Sequence, residues 1–542
     1  MALSKDVCQE LEDIVGADNI SQEPAILDSY AFQWAAELDR PDLSKFMERP
    51  VAVIVPGSTE EVSAIVKICN KYKLKVHPHS TGWGRQSGAL AENVVQLDLR
   101  RMDRILEVDE QNMFVVVEPY VIVRQLQAEL MKLGLNCHMI GAGANCSVLA
   151  LNIGLGGMGP DSISMGHGDQ NLLGLEWVMP TGDILRTGSL GSGDGWFCGT
   201  GPGPEVRGLI RGLTGAAGGL GVFTKAAFKV YRWPGPPELP VQGTIPSYRT
   251  LVPENFRSYT VAFPDWEACI DSYYKLYDAE IGYIAHRQFN KWGGDLGPAI
   301  IKLYTDPTKT LDDLPEMLKD PEIQKLTEEM RISYQLVLAG NSSRDIDYQD
   351  KVLDEILAET GGHKVQAMLD PLMEAWSFLY MVELHTKNLN FVFGGYVSSL
   401  TFCGTPDFVK MTIETSKQLQ REHQSKGYLG VDAGDDRMMG AITTIGGGGA
   451  VGLEQFNYYD PSSQESKKLM QELLYRGLEI SKEKAWPPGK LGLHLAALPK
   501  EVKQKICAVR PDVYELQRKI REAFDPNEVG DGSFICLEKP EE

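Results

Sequence analysis

Pro78-His79-Ser80-Thr81-Gly82-Trp83-Gly84 packs two glycines, a serine and a threonine into seven residues. Glycine lets a backbone approach a ligand closely, and successive N–H groups in such a turn form a nest for anionic oxygen. The chemistry this predicts is the binding of a diphosphate. The surrounding stretch, Val76 to Leu99, reads as a strand, a tight polar turn and a second strand, led in by a helical segment from Glu60 to Tyr72. His77 and His79 would share one face of a strand, but Pro78 between them argues against a regular one. Surface turns use the same residue types, so this loop gains meaning only from its neighbours.

Those neighbours repeat the theme. Val115-Val116-Val117-Glu118-Pro119 is a short strand ending in proline. Gly141 to Leu149 (GAGANCSVL) and Gly154 to Gly159 (GLGGMG) are further small-residue loops. Leu175 to Gly188 reads as a hairpin around Pro180-Thr181-Gly182-Asp183, and Gly218 to Lys225 closes the series. Val7, Leu11 and Val15 recur at fours, the spacing of one helix face. Arg232-Trp233-Pro234-Gly235-Pro236-Pro237 breaks the pattern, and the main boundary is expected there. Beyond it come amphipathic segments, Asp312 to Glu329, Lys351 to Glu359, Phe408 to His423 and Ser466 to Glu483. Strand-like pieces lie between them, at Asn388 to Val397 and Met438 to Ile445.

The order of PGSTEEV (Pro56 to Val62), PHSTG (Pro78 to Gly82), VVVEPYV (Val115 to Val121), the hairpin EWVMPTGDILRTG and GGLGVFTKAAFKVY (Gly218 to Tyr231) resembles the FAD-binding domain of the vanillyl-alcohol oxidase and p-cresol methylhydroxylase flavoproteins. AFDPNEVGDG (Ala523 to Gly532) is similar to that family's closing segment. The resemblance spans residues 45–235 and 510–535. It implies an α+β fold, with a two-subdomain PCMH-type FAD-binding domain formed by residues 1–235 with 500–542, and a mixed α/β cap, or substrate, domain over 236–499. It also implies a FAD-dependent oxidoreductase that oxidises an alcohol, phenolic or hydroxylated organic molecule by hydride transfer to the flavin. Electrons would pass to oxygen or to an electron-acceptor protein. The alternative is a FAD-carrying electron-relay or non-catalytic subunit of a larger complex. A homo-oligomer or a subunit of a complex is expected.

On that resemblance, Pro78, Ser80, Thr81, Gly82, Trp83, Gly84 and Ser87 are the expected diphosphate segment. Pro119, Ser147, Leu149 and Gly157 would lie along the same cofactor, and Gly221 and Val222 would offer backbone contacts to its adenine end or ring. Trp83 stands where many relatives carry a flavin-linking histidine, and Ala450 or a neighbouring glycine stands where others carry a linking histidine or tyrosine. Non-covalent FAD is therefore expected, with Tyr458 and Tyr459 close to the second position. The phenolate clamp of the family is missing: Gln86-Ser87-Gly88 replaces one tyrosine, Lys490 to His494 lacks the Tyr-Arg pair, and Ala142 falls near the flavin-side acid. The H-x-G-D-G-N-x-H and G-E-H-G strings of the hydroxy-acid branch are missing too. Substrate oxidation needs a proton acceptor and a means of orientation. The candidates are His385 as base, Glu454 as a pocket carboxylate between Leu453 and Phe456, Tyr458, and Arg437 as a bidentate partner for a substrate anion.

Composition bounds these readings. At 542 residues and 43% apolar content, the chain can bury more than one ordinary core. Its net charge of −21 argues against nucleic acid as a partner, because a phosphate backbone calls for a basic surface. No apolar stretch is long enough to span a bilayer, and the N-terminal MALSKDVCQELEDIVG lacks a signal peptide's apolar core, so a cytoplasmic protein without a membrane span is expected. The nine cysteines are scattered, with no C-x-x-C pair, and no two histidines have H-x-x-x-H spacing. Free thiols and no metal are expected.

Overall fold

The computed structural model describes residues 3–532 other than 39, 41, 83–86, 140–143, 151, 154–158, 194, 197–205, 211–218, 243–249, 287–295, 384–394, 408–409, 411–438, 446–447 and 484–510. Helix α1 (Lys5–Val15) begins where the Ser4 side chain accepts the Val7 N–H, and it buries Val7, Leu11 and Val15. This is the face marked by their four-residue spacing. After α2 (Pro24–Ala31), Ser58 caps α3 (Thr59–Tyr72) by accepting the Glu61 N–H, with Val62, Ile65, Val66 and Cys69 turned inward.

Four strands form the first sheet: β1 (Ile20–Ser21), β2 (Ala52–Ile54), β3 (Lys75–His79) and β4 (Val94–Asp98), in the order β1-β2-β4-β3. Strand β4 runs parallel to both β2 and β3. Parallel neighbours cannot be joined by a tight turn, since the chain must return to the same end. Residues 80–93 are therefore a crossover from the carboxyl end of β3, in place of the tight turn that the sequence suggests.

Pro78 belongs to β3, in register with Leu97. The strand tolerates it for a specific reason. Val76 donates its N–H to Val529 (2.7 Å) and accepts that of Asp531 (3.0 Å), both on the side away from β4. Pro78 has the same parity as Val76, so its missing N–H removes no bond to β4.

Next come β5 (Ile105–Asp109), β6 (Phe114–Val117), β7 (Leu135–Asn136), β8 (Leu172–Val178), β9 (Ile184–Arg186), β10 (Val222–Lys229) and β11 (Tyr231–Arg232). An antiparallel sheet of order β5-β6-β10-β8-β9 holds five of them, and β7 pairs with β11. The expected hairpin is β8 with β9, its turn docked on α3 by Ser63 Oγ donating to the Gly182 carbonyl (2.6 Å).

The third sheet has seven strands: β12 (Phe256–Ala262), β13 (Ile284–His286), β14 (Ser333–Ala339), β15 (His363–Lys364), β16 (Gly395–Gly404), β17 (Met439–Ile445) and β18 (Gly448–Tyr459). Their order is β15-β12-β14-β13-β17-β18-β16. Helices Trp266–Asp278 and Ser343–Thr360 bury apolar residues against β12 and β14. The amphipathic stretch Asp312 to Glu329 is not one helix. It is divided into Leu314–Met317 and Pro321–Glu329, because proline starts the second helix and Asp320 caps it by accepting the Glu322 N–H. The Arg232–Pro237 break is no open linker: Trp233 is buried against Phe256 and Tyr283 and donates its indole N–H to the Pro236 carbonyl. One apolar cluster runs from Val115, Leu126 and Trp177 through Trp233 to Phe256, Ile284 and Phe378.

Candidate functional site

In α/β sheets, ligands gather outside the carboxyl ends of parallel strands. At that end of β3 the chain turns through Ser80, Thr81 and Gly82. Gly82 has φ +68°, where a side chain is strained, and a Cβ there would stand 3.0 Å from the His79 ring. That ring is held by the Ser87 carbonyl at 3.0 Å and packs edge-on against Tyr30. Burial pushes the His79 imidazole below its ordinary value, so it is neutral near pH 7 and brings no cation to the loop. Tyr30 donates to the buried Asp98, which Arg100 also holds.

The second small-residue loop comes to the first. Thr81 Oγ1 accepts the Ser147 N–H at 3.3 Å, and Ser147 Oγ donates to the Pro119 carbonyl at 2.6 Å. Ile122 and Ser147 form a β-bridge, and Leu149 is buried in the following turn Val148–Ala150. The structure thus brings Thr81, Pro119, Ser147 and Leu149 into one neighbourhood, with Pro78 and Ser80 on the chain leading to it. Ser87 lies on the return path, its carbonyl also accepting from Gln96 Nε2 at 3.0 Å.

Gly221 and Val222 enter from the five-stranded sheet, where Val222 pairs with Val178. Gly221 has φ +87°, and a Cβ there would fall 2.2 Å from the Val178 carbonyl oxygen. Only glycine fits. Trp177 beneath it donates its indole N–H to the Leu220 carbonyl at 2.6 Å. Backbone turns stripped of side chains at Gly82 and Gly221, with hydroxyls at Ser80 and Thr81, suit the diphosphate and ring edges of FAD, while the Ser147 hydroxyl is already donated to the Pro119 carbonyl. Trp83, Gly84 and Gly157 lie outside the described residues.

Of the substrate candidates, Glu454 and Tyr458 are on β18. Glu454 is opposite Leu400 of β16 and Met439 of β17, and Tyr458 is opposite Tyr396. His385 and Arg437 lie outside the described residues. Tyr459 is buried and donates to Glu37 Oε1 at 2.7 Å; Lys45 Nζ stands 3.0 Å from the same oxygen. Its phenol is therefore engaged in a bond between β18 and the N-terminal turn Ala36–Leu38.

Several buried groups of this region escape residue-by-residue reading. His77 Nδ1 lies 3.0 Å from Asp531 Oδ2, which also accepts the Leu90 N–H at 2.8 Å. His138 Nδ1 lies 2.7 Å from Asp161 Oδ1, while Oδ2 of the same carboxylate accepts the Met139 N–H at 2.6 Å. Pro160, one residue earlier, accepts the Ala285 N–H of β13 at 2.9 Å, which ties this segment to the seven-stranded sheet. The only sequence signal for Asp531 is its place between two glycines in the closing segment.

Residues 50–188 match the family described as FAD binding domain. Over 280 residues the chain is 27% identical to the probable mitochondrial D-lactate dehydrogenase of Danio rerio, covering 51% of this chain and 48% of that one. It is 28% identical over 231 residues to glycolate oxidase subunit GlcD of Bacillus subtilis, covering 42% and 45%. The chain thus spans about half the length of these curated relatives. A crystal structure of p-cresol methylhydroxylase with substrate bound has the same fold, with a TM-score of 0.70 over 99% of this chain and 97% of that one, at 18% identity. The chain thus carries a FAD binding domain over residues 50–188, within a fold shared from end to end with p-cresol methylhydroxylase.

Proposed function

We propose that the chain is a FAD-dependent dehydrogenase or oxidase acting on a hydroxylated organic molecule, with 2-hydroxy acids and other alcohols ahead of alkylphenols. The observation that carries this is the convergence of Thr81, Ser147 and Pro119 inside a matched FAD binding domain. When bound, FAD supplies a two-electron acceptor. The segment from Ser80 to Gly84 would hold its diphosphate through backbone N–H groups. Gly157, Gly221 and Val222 would border the rest of it. The seven-stranded sheet would cover the ring, with Glu454 or His385 taking the substrate proton, Tyr458 donating a hydrogen bond and Arg437 pairing with a carboxylate.

The two relatives named above are a probable D-lactate dehydrogenase and a glycolate oxidase subunit, and that favours a hydroxy acid. The missing phenolate clamp disfavours p-cresol despite the shared fold, and the missing H-x-G-D-G-N-x-H and G-E-H-G strings keep other alcohols beside the hydroxy acids. The test is anaerobic bleaching of the flavin absorbance by D-lactate, glycolate, other alcohols and p-cresol. Bleaching by a hydroxy acid or alcohol is expected; efficient reduction by p-cresol or vanillyl alcohol would refute the ordering. A second reading, a FAD-bearing subunit that relays electrons within a complex, is favoured by the likeness to an oxidase subunit. It predicts a flavin that no member of the panel bleaches until a partner protein is added.

A further inference from the structure

Two segments proposed to border FAD, the 80–88 loop and the 219–221 turn, come from distant parts of the chain, and the closing segment joins them at one buried carboxylate. Asp531 has 5% of its surface exposed and His77 has 4%. Asp531 Oδ2 accepts the Leu90 N–H at 2.8 Å, at the far side of the 80–88 loop, and lies 3.0 Å from His77 Nδ1 on the strand that enters it. Its own backbone N–H bonds to Val76 at 3.0 Å. On its other flank the closing segment is pressed against the 219–221 turn. A Cβ on Gly530 would fall 1.8 Å from the Gly219 carbonyl oxygen, and one on Gly219 would fall 2.8 Å from the Gly532 nitrogen. The segment is itself rigid, because Asp525 accepts the N–H groups of Val529 and Gly530 at 2.8 and 2.9 Å.

We infer that Asp531, with His77, is a positioning pair for the cofactor: it holds both ends of the 80–88 loop at a set distance from the 219–221 turn. The inference rests on the proposed placement of FAD at these two segments. A buried carboxylate with two such partners can hold the loop before the ligand arrives, and preorganisation of this kind raises affinity by removing the cost of ordering.

The experiment titrates apoprotein with FAD, following quenching of flavin fluorescence, and measures hydrogen exchange of the Leu90 amide. Asp531→Ala is expected to weaken FAD binding by about tenfold to a hundredfold, the range of one lost charge-assisted bond, and to unprotect Leu90. Asp531→Asn keeps an acceptor for both donors and is expected to restore affinity to within about threefold of the original, as a weaker neutral acceptor should. A folded Asp531→Ala protein with unchanged FAD affinity would overturn the inference. If that variant does not fold, His77→Leu removes the contact at similar volume, and unchanged affinity there overturns it equally. Gly82→Val separates the two levels. If it loses FAD while the Asp531 and His77 variants keep it, the positioning role fails alone; if it too keeps FAD, the placement of the cofactor fails.

Discussion

Replacing Gly82 tests the cofactor placement, and Gly134 supplies the control. Gly82 has φ +68° and Gly134 has φ +69°, so alanine meets the same backbone strain at either site, about 1–2 kcal/mol. Their surroundings differ. Nothing lies within 4 Å of a Cβ on Gly134, whereas one on Gly82 stands 3.0 Å from His79 Cε1. That ring cannot swing away freely, because the Ser87 carbonyl and Tyr30 hold it. Alanine at Gly82 therefore presses on the 80–88 loop, and valine adds two methyl groups where the backbone is to meet the diphosphate. Gly134→Ala should lose about 1–2 kcal/mol of stability in denaturant unfolding of the apoprotein, and Gly82→Ala more than that, because its Cβ also presses on the His79 ring. FAD affinity should stay unchanged in Gly134→Ala and fall by about tenfold or more in Gly82→Val, equivalent to about 1.4 kcal/mol. A folded Gly82→Val protein that binds FAD like the original would refute the reasoning and move the cofactor to another loop.

The purified protein should be yellow and should release its flavin on acid precipitation, since the Tyr459 phenol is already donated to Glu37; flavin that stays with the precipitate would instead point to a covalent bond at Tyr458 or another residue. Burial works to raise the Glu176 carboxyl, but bonds from Lys225 and Thr59 and the charges of Lys225 and Arg186 hold it below its ordinary value of 4.5. A lowered folded pKa gives stability that is present above the unfolded value and lost as pH falls through the folded one. Urea midpoints should therefore fall from about pH 4.5 downward, and Glu176→Gln should flatten that limb; an equal acid slope in the variant would contradict it.

Local chemistry was readable residue by residue. Apolar spacing at Val7, Leu11 and Val15 identifies a helix face, because a helix repeats every 3.6 residues whatever surrounds it. The Thr-Gly-Asp turn between β8 and β9 is legible for a similar reason: Gly182, at φ +86°, supplies a conformation that few other residues accept. The glycine at 82 is likewise visible, as is the order of motifs that points to FAD.

Where partners lie far apart in the chain, the sequence alone is silent. The tight turn expected after Val76 becomes a crossover because β3 and β4 pair in parallel, and pairing direction is a property of two strands together. Pro78 looks like a strand breaker until the sheet shows which side its missing N–H faces. The long amphipathic stretch at Asp312 to Glu329 breaks in two at Asp320-Pro321, a local stop that helical spacing alone overrides. Asp531 and His77 are separated by most of the chain, as are Glu37 and Tyr459, and neither spacing carries information about contact. Sequence by itself determined the helix faces and the small-residue loops, which rest on local backbone preferences, and the order of motifs whose resemblance to a known family implies FAD. Tertiary structure alone decided which loops meet, which carboxylates are buried and which tyrosine is already engaged, because burial and hydrogen bonding at a distance exist only once the sheets have closed on one another.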